Sequence, residues 1–231
     1  MAAPRLLVIA CGALARELLA ITQWYGMDNV TVECLPASLH NRPSEIPELV
    51  RARIRRARDG GAAPLATDGT GDMSDAELVE RGTDGADGRF DRILIGYADC
   101  GTGGLLAEVC REEGVEMLAG AHCYQFFANH ERFEELQDHE VGSFYLTDFL
   151  ARNWERLIWH GLGLDRHPEL LEMYFGNYTR CVYLAQADDP KALAAAHACA
   201  AQLGLDLHVE PTGYGELEST VVEFTRRAAT A

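Results

Sequence analysis

The 231-residue chain has no apolar run approaching the roughly 20 residues needed to cross a bilayer as a helix, which argues against a membrane partner. The short run Leu6-Leu7-Val8-Ile9-Ala10 follows Arg5, but Arg16-Glu17 stand where a leader's cleavage region belongs. A cytoplasmic, soluble protein is expected. Basic residues are scarce, with 20 Lys and Arg against 36 Asp and Glu and a net charge of -16. No basic patch with interleaved aromatics offsets that field, so a nucleic-acid partner is not expected. The 7 cysteines are odd in number and dispersed, which excludes a disulfide framework of the secreted kind, and none falls in a CxxC spacing. There is no P-loop lysine, no complete GxGxxG, no internal repeat and no clean linker.

What is present is an ordinary globular balance, 48% hydrophobic and 24% charged, arranged as alternating strand and helix signals. Leu6 to Ala10 reads as a strand buried on both faces, and Val30 to Leu35 and Arg92 to Tyr97 as two more. A short strand is expected near Glu116 to Ala119, an extended piece at Gly142 to Asp148, and later strands at Arg180 to Ala185 and Leu205 to Val209. Helical spacing is seen at Ala13 to Tyr25, Ser44 to Arg58, Leu105 to Glu113, Phe126 to Gln137, Phe149 to His160, Leu170 to Gly176 and Ala192 to Leu203. This rhythm predicts an α/β fold: an open, mostly parallel Rossmann-like sheet with helices on both faces. One domain is expected over residues 1–231, with 142–180 as a possible helical subdomain. Residues 60–88, rich in Gly, Asp, Thr and Ala, read as a flexible acidic insertion, a surface segment or a lid, with a short helix at Ser74 to Arg81.

Ligands of parallel sheets bind beyond the carboxyl ends of the strands. Here the first strand ends at Cys11, the second runs toward His40, the third ends at Cys100 and the fourth at His122-Cys123. Thiolate and imidazole are the groups zinc prefers, so Cys11, Cys100, Cys123 and His122 are candidate metal ligands. Gly12 and Gly101 would bring the backbone close to a cofactor, while His40 and Asp99 are candidate catalytic groups, Asp99 as a base or as a partner to a ligating histidine. Gly101-Thr102-Gly103-Gly104 offers a turn for an anion or, more simply, a tight turn. Cys34, Cys110, Cys181 and Cys199 read as apolar filler, and Glu17 as pointing back toward the site or, more simply, facing solvent. Tyr124, Tyr145, Asp148, His167, Asn177 and Tyr178 stand in polar-aromatic loops able to line a pocket or simply to pack.

Several stretches together resemble the domain-of-unknown-function family 1638: Cys11 to Leu14, Leu35-Pro36 with Leu39 to Pro43, Tyr97 to Gly101, His122 to Phe127, Gly142 to Asp148, Gly161 to Pro168 and Tyr174 to Tyr178. The resemblance implies a companion of corrinoid-dependent methyltransferase systems. It suggests a cytoplasmic metal-binding protein, with zinc, that works in corrinoid-linked methyl transfer or one-carbon metabolism. In that setting a zinc on Cys11, Cys100 and Cys123, with His40 or His122 as fourth ligand or proton shuttle, would activate a small-molecule thiol substrate. Three alternatives stay open: an accessory protein that docks a corrinoid protein without chemistry, an iron–sulfur protein, and a hydrolase using Cys100 with His122 as base.

Overall fold

The computed structural model describes residues 3–59 and 89–230, so the insertion expected over 60–88 and its helix lie outside the described residues. The described residues form two compact units, one of residues 1–123 with 217–231 and the other of 124–216. Each is built on its own parallel sheet with helices packed on it, so the expected α/β architecture is present as two sheets. Residues 142–180 include a strand of the second sheet and belong to the second unit.

In the first unit, β1 (Leu6–Cys11) is wholly buried and pairs in parallel with β2 (Val30–Leu35) and β3 (Arg92–Gly96). β4 (Glu116–Met117) completes the order β2-β1-β3-β4. A strand flanked on both sides and covered on both faces has no solvent-facing position, which is why LLVIAC carries no polar alternation. Gly96 stands opposite Ala10, and a methyl group there would lie 2.7 Å from the Ala10 Cβ. Only glycine lets these two strands close at their carboxyl ends.

Helix α1 (Ala15–Trp24) follows β1, α2 (Ile46–Arg58) follows β2, and α3 (Leu105–Glu113) follows β3. Between α2 and α3, Arg51 meets Glu112 at 2.6 Å, while Arg55 and Arg58 each meet Glu113 at 2.8 Å.

The second unit opens with α4 (Cys123–Ala128), whose first residue belongs to the first unit, and α5 (His130–His139). The sequence spacing suggests one helix there. Asn129 divides it, with φ 58° and a side chain that accepts from the Arg132 N–H at 3.1 Å, because an Asn cap starts a new helix better than it continues an old one. Strands β5 (Ser143–Thr147), β6 (Arg180–Ala185) and β7 (Asp206–Pro211) form the second sheet in that order. Tyr145, Val182 and Leu184 pack with Phe133 and Leu136, whereas Phe144 lies edge-on to Trp154, Phe175 and Tyr178. Strand alternation thus sends Phe144 and Tyr145 into different clusters.

Thr147 caps α6 (Asp148–Arg152), accepting from the Leu150 N–H. Instead of one helix to His160, the chain breaks after Arg152 and resumes as a wide π turn at Glu155–Trp159. Helices α7 (Leu170–Phe175) and α8 (Pro190–Leu203) follow, the latter capped by Asp189. The last helix, α9 (Gly215–Ala229), from Leu217 onward joins the first unit, where Phe224 lies under the Arg92 guanidinium and Arg227 pairs with Glu116 at 2.6 Å. No helix among the described residues is long and apolar enough to cross a membrane.

Candidate functional site

The order β2-β1-β3-β4 contains a reversal. From β1 the chain crosses to β2 on one side and then returns to β3 on the other. At such a point the two connections leave in opposite directions and open a crevice past the carboxyl ends, the usual place for a ligand in a doubly wound sheet. Cys11 ends β1, and Cys100 follows closely after β3. Every candidate site residue from the sequence falls within the first unit.

The turn after β3 is built around Asp99. Its carboxylate accepts from Thr102 Oγ1 at 2.8 Å, from the Gly103 N–H at 3.1 Å and from the Gly104 N–H at 2.6 Å. Burial alone would raise its pKa, but these bonds and one from the Gly101 N–H hold it below the ordinary carboxylate value. The N–H groups of the candidate anion turn are therefore directed at the chain's own carboxylate. Asp99 holds the turn, and its hydrogen bonds point into that turn. The result is a left-handed backbone at Cys100, φ 49°, followed by Gly101 at φ 82°. A left-handed cysteine is uncommon and is maintained only where surrounding contacts impose it.

A second set of contacts fixes Cys100 against the segment before α4. The Asp99 N–H donates to Gly120 O at 3.1 Å and the Cys100 N–H to Ala121 O at 2.9 Å. The Cys100 sulfur then receives hydrogen bonds from the Cys123 thiol and from the backbone N–H groups of Ala98 and Cys123. The Cys123 thiol is the leading cause, and with the two N–H groups it outweighs burial and the Asp99 charge, so the Cys100 pKa lies below the usual thiol value. Cys123 bears the converse: donation to Cys100, then burial and the charges of Cys100 and Cys11, raise its own pKa well above that value. The two thiols are thus shifted in opposite directions, Cys100 toward its anion and Cys123 toward its protonated form.

Cys11 lies deeper, 9% exposed, and burial pushes its pKa up to about 12 despite help from the Ala13 N–H and the Tyr97 hydroxyl. Tyr97, 2% exposed, has no well-formed hydrogen bond at its hydroxyl, and burial, then the charges of Cys11, Cys34 and Cys100, raise its pKa well above the ordinary phenol value. Above these, Cys100 and Cys123 are half-buried, while His40 and His122 are exposed. Crowding that strips water from His40, then the charge of His122, lowers the His40 pKa. Exposure thus falls from the imidazoles through the thiol pair to Cys11 and Tyr97.

Two glycines proposed as cofactor contacts serve the backbone. A methyl group on Gly12 would meet Leu35 O at 3.1 Å, so Gly12 lets the chain pass the end of β2, and Gly101 sends its N–H to Asp99. Glu17, expected to face solvent, is only 4% exposed, and its charge helps to raise the pKa of Cys34, after burial and the charge of Cys11. The residue after Arg16 turns inward because α1 packs on the sheet. Cys34, Cys110, Cys181 and Cys199 are buried, and burial raises the pKa of each, as suits apolar filler.

Among the described residues, no three His, Cys, Asp or Glu side chains converge to hold a metal ion. Cys100 and Cys123 are turned to each other and Cys11 toward Tyr97, so these rotamers do not fit a three- or four-ligand zinc centre.

Sequence spacing does not reveal Tyr97 as part of the site, because its signal is that of any strand-end aromatic. Nor does it show that Cys100 and Cys123 form a pair, since the contact joins the turn after β3 to the start of α4.

The other pocket candidates make their contacts within the second unit. Tyr145 and Tyr124 stack in its core, Tyr178 packs on Phe144, and His167 meets Glu169 at 3.1 Å. Asp148 accepts from the Tyr183 hydroxyl at 2.6 Å and from the Gln186 N–H at 3.1 Å, and Arg152 bridges it to Asp189.

No curated protein and no solved structure matches the chain. A family profile, described as a protein of unknown function (DUF1638), matches residues 34–221, a span holding every candidate residue except Cys11 and Gly12. By that match over most of its length, the chain belongs to the DUF1638 family.

Proposed function

We propose that the switch-point edge of the four-stranded sheet is a thiol-dependent group-transfer site in which Cys100 reacts as a thiolate and Cys123 holds its proton. The observation that carries this reading is the trio of donors on the Cys100 sulfur, next to the reversal in the strand order of the first sheet. A half-exposed sulfur so stabilised attacks soft, small electrophilic carbon. Its lone pair forms the S–C bond, and the carrier leaves with the electrons of the bond that breaks. A methyl group on a corrinoid carrier protein is an electrophile of this class, and the exposed His40 and His122 stand where a proton would enter or leave. The buried Tyr97 hydroxyl is a donor available to a polar atom of the substrate.

Alkylation by iodoacetamide across pH tests the reading, because only the thiolate reacts. Cys100 labels with a midpoint below the ordinary thiol value, and the rate rises with pH to a plateau above it. In Cys123→Ala the principal donor is gone, so the midpoint moves up and labelling at neutral pH slows about tenfold for each unit of that rise. Cys123→Ser, whose hydroxyl still donates, stays nearer the parent profile. Equal midpoints for Cys100 in all three proteins would sink the reading.

A second reading, a zinc centre on Cys11, Cys100, Cys123 and His122 serving the same corrinoid-linked chemistry, is favoured by one observation. The three thiols stand close enough that Cys123 feels the charge of both others, a repulsion that a divalent cation would relieve. It requires the side chains to rotate. Elemental analysis of untagged protein purified without oxygen decides: about one zinc per chain supports it, iron with a brown colour points to a cluster, and no metal leaves the thiolate.

A further inference from the structure

We propose that Cys100 and Cys123 close a reversible disulfide, so that this edge carries out thiol–disulfide exchange with small-molecule disulfides. The inference rests on the reading of Cys100 as the reacting thiolate. Its own basis is the backbone. Asp99 and Cys100 donate to successive carbonyls, Gly120 O at 3.1 Å and Ala121 O at 2.9 Å, which binds the two cysteine-bearing segments side by side. Across that junction the thiol and the backbone N–H of Cys123 both address one atom, the Cys100 sulfur. The other five cysteines are buried, whereas these two are half-exposed, so a reagent from solvent meets this pair first.

The exchange runs in two displacements. The Cys100 thiolate attacks one sulfur of a disulfide RSSR. A Cys100–SR bond forms, the RS–SR bond breaks, and the first RS⁻ departs with the electron pair. Cys123 then gives up its proton, and its sulfur attacks the Cys100 sulfur and displaces the second RS⁻. Two protein thiols are oxidised by two electrons, RSSR is reduced by the same two, and the released protons end on two RSH. Cys11 takes no part, since it is buried away from solvent.

The experiment uses the full chain, reduced and metal-free, incubated with glutathione disulfide, quenched in acid, alkylated and mapped by mass spectrometry. Two of the 7 thiols disappear, the protein loses about 2 Da, and one cross-linked peptide pair joins Cys100 to Cys123. Dithiothreitol restores both thiols. In Cys123→Ser the first displacement proceeds and stops, so a glutathione adduct accumulates on Cys100, and an unchanged far-ultraviolet circular dichroism spectrum establishes that this variant is folded. If the parent protein also stops at the Cys100 adduct, the disulfide is overturned while the thiolate reading stands. If Cys100 is neither cross-linked nor adducted, both fall. A cross-link from Cys100 to Cys11 instead would likewise overturn the pairing.

Discussion

The two sheets end differently at their carboxyl edges. At the edge of the second sheet, Asp148, 2% exposed, is held by Tyr183, Gln186 and Arg152, and Asp189 takes the remaining reach of Arg152. Polar groups there answer one another, which fixes the chain and leaves little capacity for a ligand. At the edge of the first sheet a buried phenol has no well-formed partner, a thiol is biased toward its anion and a cysteine is held left-handed. Strand order accounts for part of the contrast, since β5-β6-β7 runs one way across its sheet whereas β2-β1-β3-β4 reverses at β1. A closed polar network serves stability, whereas a strand reversal is where doubly wound sheets in general take their ligands.

Substitutions on the two edges sharpen or break that contrast. Asp148→Ala leaves the Tyr183 hydroxyl and the Gln186 N–H without their acceptor and costs about 3 kcal/mol. Faster amide exchange across Arg180–Ala185 and a lower urea midpoint would register it, with Cys100 alkylation unchanged; a changed alkylation profile would break the separation between the edges. Gly96→Ala places a methyl group against Ala10 beneath the thiol site and costs about 2 kcal/mol. Adding Ala10→Gly removes the clash, so the double variant recovers part of the loss in the same urea titration. The smallest effects come from one substitution made twice. Tyr183→Phe deletes a hydrogen bond to a carboxylate and costs about 1–2 kcal/mol, whereas Tyr97→Phe deletes a hydroxyl with no well-formed bond and costs about 0. Equal losses in thermal melts would mean that the Tyr97 hydroxyl is satisfied after all.

The sequence made the strands and the crowded edge legible, but not the pairing within it. A fully apolar run such as LLVIAC marks a central parallel strand, and residues that end or closely follow such strands share an edge, so pattern alone places Cys11 and Cys100 at the carboxyl edge of the first sheet. Which sulfur touches which depends on the turn after β3, and that turn depends on where the Asp99 carboxylate points, a rotamer choice that spacing does not encode. The same blindness made Asp99 look like a base. Breaks inside apparent helices were missed at Asn129 and after Arg152, where the apolar spacing continues although the backbone does not. Helix α9 carries Leu217, Val221, Phe224 and Ala228 at helical spacing, but Gly213 and Gly215 beside its start are poor helix formers and hide it.

The return of α9 to the first unit has a consequence for how the chain is made. Residues 124–216 are contiguous and can collapse as soon as they leave the ribosome, although they are synthesised after the first sheet. The earlier unit must wait: Arg92 gains Phe224, Met27 gains Thr225 and Tyr25 gains Glu218 only when residues 217–229 emerge. Until then a nascent first unit exposes the apolar surface that Leu217, Val221 and Phe224 will cover. Contacts so distant in sequence close late and slowly, which makes the first unit, although synthesised first, the last to be completed and the one most in need of a chaperone during synthesis.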